Sequence, residues 1–409
     1  MKTFLYLPSL ITIVLLSIAC EESPQGRPGL DGGGIDGLQK SHDGLAPTDQ
    51  GDGTDSTYTP SLNPCRRPQK EASFTIPVSH ADARWKRRGT WAGRGVQGYL
   101  DGPRHQIRSY NAPGRSGFFE SGGEYVYRIY DDTTGRYLTL AGSARGYLDG
   151  PFSRARFGGW GYSAGLRTSC GPDGALYIFE PNLGVIRRMD FDAREVTTVT
   201  KDVSLARAMV FDGNGVLLIV GYGDQLTRVH PDGMVDKITI EAALIGHGFS
   251  VAMDRANNRL YGANRCSGEW YIWYWDLNAE GKFVGVLSIP QEGEPSRDLN
   301  ATGPFEGTYL HCPAGISFGR KPDYKTLYYG GGDNTTFFRL DLTNEWIDTW
   351  GPIDEEQETP YEDLGWVEAT GKFPSGSIVS WAGTPSWDGD DIFLGNSIWP
   401  SLIYFERVQ

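Results

Sequence analysis

The hexad Gly-Tyr-Leu-Asp-Gly-Pro occurs twice, at 98–103 and at 146–151, 48 residues apart. Each copy follows an Ala-Gly pair, Ala92-Gly93 and Ala141-Gly142. A repeat of this spacing constrains the fold more than any composition does. A unit of that length cannot bury its apolar face alone, so its copies must stack on one another. The second unit shows the order of parts: Gly165-Leu166-Arg167, the turn Gly171-Pro172-Asp173-Gly174, ALYIFE (175–180), the turn Asn182-Leu183-Gly184, VIRRMD (185–190) and EVTTVT (195–200). The alternating apolar residues and the Gly, Pro, Asn and Asp turns predict short β-strands joined by tight connections. Aromatic residues at 12% and 55 glycines in 409 residues fit that reading.

The same order recurs more loosely from Ala206, Gly248, Gly315 and Gly376, and a degenerate unit begins at Gly114. With the unit at 141–200 that makes six, a number that closes a ring. The last unit stops at LIYFERV (402–408), a third strand without a fourth. Residues 84–92, at the opposite end of the repeats, are expected to supply it and so to hide the open edges of the array.

Over residues 85 to 409 these units resemble NHL repeats. The resemblance implies an all-β chain folded as a six-bladed β-propeller, each blade four-stranded around a central channel. It also implies that the hexads are blade-to-blade connections, with Asp101 and Asp149 capping turns, glycine taking positive φ and proline stiffening the exit. The run Trp270 to Trp275 aligns with VIRRMD, an inner strand pressed on both sides, and is expected to be core more than a sugar-stacking platform.

The chain opens as an exported protein does. Lys2 precedes an apolar run from Phe4 to Ala19, and Ser17-Ile18-Ala19 leads to Cys20. The run is short for a membrane span and has signal-peptide flanks. It resembles the lipobox of bacterial lipoproteins, with Ser17 where leucine is usual, which makes residues 1–19 a signal peptide and Cys20 the lipid anchor. Residues 20–65, rich in Gly, Pro, Asp, Ser and Thr with Tyr58 as the single aromatic, are expected to be a disordered, self-repelling tether. Residues 66–409 then form the propeller. The resemblance places the chain at the bacterial cell envelope, on the outer membrane, facing the periplasm or the cell surface. Glu21 is not the aspartate that resembles an inner-membrane retention signal.

In an oxidising compartment the four remaining cysteines, Cys65, Cys170, Cys266 and Cys312, are disulfide candidates. Four cysteines allow three pairings. Comparable places in adjacent repeats favour Cys266 with Cys312, leaving Cys65 and Cys170 to pin the linker to the domain, with free buried thiols as the other option.

The formal net charge of −13 argues against nucleic acid, which needs a basic face, and against attachment to anionic lipid by charge. The membrane contact is therefore the lipid anchor alone, and a monomer is expected. No G-x-S-x-G, Ser-x-x-Lys or phosphate-cradling loop occurs in a plausible context. The six histidines are His42, His80, His105, His230, His247 and His311, and His230 sits in a turn where solvent is expected. Peptidylglycine amidating lyases, which resemble NHL propellers, place zinc-binding histidines on innermost strands; here only His247 lies at such a place, with His311 a few residues ahead of the next. Gluconolactonase-type propellers hold a divalent cation with carboxylates at the channel mouth, but Glu180, Asp254 and Asp341 read as ordinary turn residues. Arg167, Arg207 and Arg265 fall at or near innermost strands, where an arginine can take a carboxylate or phosphate in a bidentate grip.

The expected function is a membrane-anchored binding scaffold for a protein, peptide or glycan, without cofactor or metal and more a binder than an enzyme. Its candidate ligand residues are Arg167, Arg207, His247, Arg265 and His311. The alternative is a lyase or lactonase with zinc or calcium in the channel, held through His247 and His311.

Overall fold

The computed structural model describes residues 63, 65–66, 84–92, 101–103, 119–120, 126–131, 134, 136–142, 145–158, 167–180, 183–201, 203, 206–221, 225–239, 248–266, 269–278, 283–288, 303–305, 313–318, 326–331, 336–352, 377–380, 386–388, 391–393 and 402–408. Among them the regular elements are β-strands, grouped in six sheets. The first sheet joins β2 (Gly102–Pro103), β3 (Phe119–Glu120), β4 (Tyr127–Asp131) and β5 (Arg136–Ala141) in the order β2-β5-β4-β3. The second joins β6 (Gly150–Pro151), β7 (Arg167–Cys170), β8 (Leu176–Glu180), β9 (Val185–Asp190) and β10 (Glu195–Thr200) as β6-β10-β9-β8-β7.

The third and fourth sheets are plain antiparallel meanders. They comprise β11 (Ala206–Phe211) to β14 (Val235–Thr239), with β12 (Leu217–Gly221) and β13 (Gln225–Val229) between, and β15 (Gly248–Asp254), β16 (Arg259–Cys266), β17 (Glu269–Asp276) and β18 (Phe283–Ser288). The fifth has the order β19-β23-β22-β21-β20, from β19 (Gly303–Pro304), β20 (Pro313–Phe318), β21 (Thr326–Gly331), β22 (Thr336–Asp341) and β23 (Trp346–Pro352). The sixth sheet combines the two ends of the repeat region: β1 (Arg84–Ala92) pairs antiparallel with β27 (Leu402–Val408), which continues to β24 (Ser377–Ser380), β26 (Asp391–Phe393) and β25 (Ser386–Asp388). There β24 and β26 run parallel, a departure from the meander of the other sheets.

Period-two side-chain alternation explains how the sheets stack. On β8, Leu176 and Ile178 join a core with Tyr127 and Ala141 of the first sheet, while Phe179 joins one with Leu217 and Ile219 of the third. On β12, Leu218 and Val220 turn instead to Leu260, Trp273 and Trp275 of the fourth. Ala252, Tyr261 and Ile272 pass the stack on to Ile316, Leu327 and Leu340 of the fifth. A strand covered on both faces must be apolar at every position, as LLIVG on β12 is, with all five residues buried. The first strands of successive repeats stand side by side, β7 against β11, β11 against β15 and β15 against β20.

Two glycines set the hexad geometry. Gly102 and Gly150 hold φ of 137° and 134°, a region closed to residues with a Cβ. Nothing lies within 4 Å of where a Cβ on Gly150 would stand, so its demand is purely conformational. A different constraint acts at Gly262, whose Cβ would lie 2.0 Å from the ring of Trp273.

Candidate functional site

Strand register puts the candidate arginines at one end of the stack. Arg167 opens β7 opposite Phe179, Arg207 is the second residue of β11, and Arg265 lies one step beyond Asn264, which pairs with Gly248 at the start of β15. Arg265 therefore stands on the second strand of its sheet, paired with Trp270, and not on the innermost strand. This end, where first strands begin and second strands meet third strands, is called the rim below. The side chains of Arg167, Arg207, Arg265 and Cys266 lie outside the described residues, as do His247, His311, Cys312 and Cys20 altogether.

Three charged residues of the second repeat, Asp149, Glu180 and Arg187, meet at the rim of the second sheet. Arg187, on β9, is fully buried. Its Nη1 donates to Glu180 Oε1 at 2.8 Å and to the carbonyl of Arg156 at 3.2 Å. Its Nη2 donates to the carbonyl of Leu148 at 2.9 Å and reaches Asp149 Oδ1 at 2.8 Å. The guanidinium also lies over the rings of Tyr147, 5.0 Å from its centroid, and Phe157, at 5.4 Å. Glu180 is buried, and its Oε2 accepts from the backbone N–H of Gly158 at 2.6 Å. Burial raises the Glu180 carboxyl above its usual range, against the lowering effect of Gly158 and Arg187. Sequence reading took Glu180 for a turn residue; it is instead the buried counter-ion of Arg187. This guanidinium is occupied by two carboxylates and two carbonyls, so it is a structural tie and not a ligand hook.

The hexad aspartates act differently from the turn caps expected of them. Asp149 bridges across the sheet to Arg187 and accepts from the N–H and hydroxyl of Thr198 at 2.9 and 3.0 Å. Asp101 repeats the device, accepting from the buried Arg128 at 2.7 Å and from the N–H of Thr139 at 2.7 Å. Each aspartate thus ties the connection to the third and fourth strands of its sheet. A third, altered copy closes the fifth sheet. Thr302-Gly303-Pro304-Phe305 replaces Asp-Gly-Pro-Phe, and the Phe305 N–H donates to the carbonyl of Glu345 at 2.8 Å, as Phe152 does to Arg194 at 2.9 Å. Arg194 and Glu345 share positive φ, 55° and 52°. The signal for this copy, Gly-Pro-Phe, was present in the sequence but too short to stand out.

The opposite end is organised by aspartate turns. Asp190 accepts from the N–H groups of Asp192 and Ala193, and its carboxyl is lowered chiefly by the Ala193 bond, with Arg188 helping. Asp254 binds Ala256 and Asn257, and Asp341 binds Thr343 and Asn344, in the same manner, which is the turn role expected of both. His230 approaches Asp236 at 3.2 Å, and Arg228 grips the same carboxylate at 2.7 and 2.6 Å. A cavity of about 440 Å³ opens here between the third and fourth sheets, lined among others by Asp212, Asn214, Arg228 and Trp275. Within the aromatic run, Ile272, Trp273 and Trp275 are buried and belong to the core.

A disulfide joins Cys65 to Cys170 at this end, with 5.2 Å between Cα atoms. Beside it the buried Asn63 donates to the carbonyl of Gly174 at 3.0 Å, and Arg66 pairs with Asp192 at 2.7 Å. The last residues of the linker are therefore stapled to the second sheet, away from the rim. Among the described residues no three His, Cys, Asp or Glu side chains converge as metal ligands.

No known family profile matches the chain, and no curated protein matches its sequence. Solved structures resemble it at low identity. An auxiliary nutrient binding protein from Bacteroides thetaiotaomicron is 12% identical over 80% of this chain and 76% of its own, with a TM-score of 0.48. A gluconolactonase from Xanthomonas campestris is 13% identical over 83% and 98%, with a TM-score of 0.42. A virginiamycin B lyase from Staphylococcus aureus is 9% identical over 71% and 76%, with a TM-score of 0.39. Likenesses this distant carry no ligand or activity across.

Proposed function

We propose that the chain is a lipid-anchored binding scaffold of the bacterial envelope, exported by residues 1–19, attached through Cys20 and held off the membrane by residues 20–62. The six sheets are the blades of one NHL-like propeller, and the β1–β27 pair closes it. The ligand is a protein, peptide or glycan met at the rim. One observation carries this reading: strand register brings Arg167, Arg207 and Arg265 to the same end of neighbouring sheets. The buried arginines of the repeat, Arg128 and Arg187, are tied within their own sheets and serve the fold.

The test is the metal content of the purified full chain, with thermal melting in the presence and absence of a chelator. A fragment starting at residue 66 would lack Asn63 and Cys65 and is not a substitute. A metal-free protein indifferent to chelator supports the scaffold. A stoichiometric metal whose removal lowers the melting temperature would replace it with a metal-dependent lyase or lactonase, and His247 would be the first residue to change.

A further inference from the structure

Five large apolar residues are exposed among the described residues, and three of them, Tyr147, Leu148 and Leu183, gather at one rim corner of the second sheet. They converge on the Arg187–Glu180 pair. Tyr147 lies beneath the Arg187 guanidinium, and the carbonyl of Leu148 accepts from it. Leu183 packs at Gly158, whose N–H holds Glu180: a Cβ on that glycine would lie 2.6 Å from Leu183 Cδ1. Exposed apolar side chains scattered singly need no explanation, but a cluster on a rigid base marks an interaction surface.

Among the described residues the free charge around the corner is positive. Lys201 Nζ sits 5.1 Å from the Tyr147 ring centroid, and Arg156, paired with Leu148 in a β-bridge, is exposed. The carboxylates here are spent: Asp149 on Arg187 and Thr198, and Glu180 on Arg187 and Gly158. An apolar patch with cations at its edge and its acids withdrawn complements a ligand that is apolar and negatively charged together. The Cys65–Cys170 bond lies at the other end of the sheet.

Resting on the scaffold reading, we propose that this corner is a docking site for an acidic peptide segment bearing a large apolar side chain. Leu183, Leu148 and Tyr147 receive the apolar group, and Lys201 and Arg156 receive the flanking carboxylates.

The test uses the full chain in detergent and a fluorescein-labelled hexapeptide of alternating Glu and Phe, read by anisotropy. Two companions, with Gln for Glu and with Ala for Phe, separate the charged from the apolar contribution. Leu183→Ser and Lys201→Glu should each weaken binding roughly ten-fold, the loss expected when a central contact is removed. Met234→Ser, at a more exposed apolar residue of the opposite end, should leave it unchanged. Both companion peptides should bind at least as weakly as the variants do. Melting temperatures equal to the parent's establish that each variant is folded, and Leu148→Ser substitutes for one that is not. Absence of binding, or binding that neither rim variant weakens, overturns the proposal. Loss in Arg207→Ala alone overturns this corner while the scaffold reading stands. Capture of phosphatidylglycerol vesicles in place of the peptide, lost in the same two variants, overturns the peptide as occupant.

Discussion

The two ends of the second sheet are made from the same strands and the same residue types, yet they behave oppositely. At the rim, Arg187 and Glu180 are withdrawn from water, and burial holds the Glu180 carboxyl above its usual range. At the other end, Asp190 and Asp192 sit in a partly exposed turn, and donated backbone hydrogens hold the Asp190 carboxyl below its range. The difference is depth. Burying a charge is costly unless it is paired, so the rim charges are spent on one another and on nearby carbonyls, with Arg187 answered through Nη1 and Nη2. Charges in shallow turns keep solvent as a partner, and there the chain uses covalent chemistry, the Cys65–Cys170 bond, to fix its linker.

The largest effect expected from breaking this contrast is at the rim. Arg187→Ala leaves Glu180 buried beside Asp149 without a counter-ion and should cost about 3–5 kcal/mol in denaturant unfolding. A loss under about 1 kcal/mol would mean that the pair is wet and the ends are alike. Removing the staple by Cys65→Ser with Cys170→Ser should cost about 2–4 kcal/mol, because the bond closes a loop of sequence separation 105. The parent protein melted in reductant should match that variant; if instead the variant melts with the oxidised parent, the staple contributes nothing to stability.

The smallest effect sharpens the comparison through pH. The folded pKa of Asp190 lies below its unfolded value, so its contribution is complete above about pH 4 and disappears as pH falls through the folded value. Asp190→Asn should therefore be destabilised near neutrality by about 1 kcal/mol, and the gap should close toward about pH 2. Parallel stability curves for parent and variant would contradict this. Glu180 acts with the opposite sign: the native state keeps its proton longer, so its contribution to stability falls as pH rises from the unfolded value through the raised one.

Much of the architecture was legible because period-two alternation and turn chemistry are local. The ALYIFE, VIRRMD and EVTTVT segments form β8, β9 and β10 within a residue of their expected bounds. Residues 84–92, assigned as a partner for LIYFERV from a missing strand alone, do pair with it. The Cys65–Cys170 bond was one of the pairings that the count of cysteines allowed. Less legible was the work of the hexad. Asp149 and Thr198 are 49 residues apart and Asp149 and Arg187 are 38 apart, and no local rule says that the aspartate reaches that far. The corner of Tyr147, Leu148 and Leu183 was equally hidden, since each reads alone as a turn residue or part of a connection.

What the sequence by itself determined is the modular all-β plan: which residues alternate, where turns fall, and that the two ends of the repeat region belong together. The first two follow from backbone sterics and side-chain periodicity, which act within a few residues, and the third from counting strands in the repeat. Tertiary structure alone decided the depth of each charge, and with it which arginines are tied into the fold. Depth depends on which sheets pack against which, and the cost of leaving a charge unpaired is set by that surrounding and not by the residue's neighbours in the chain.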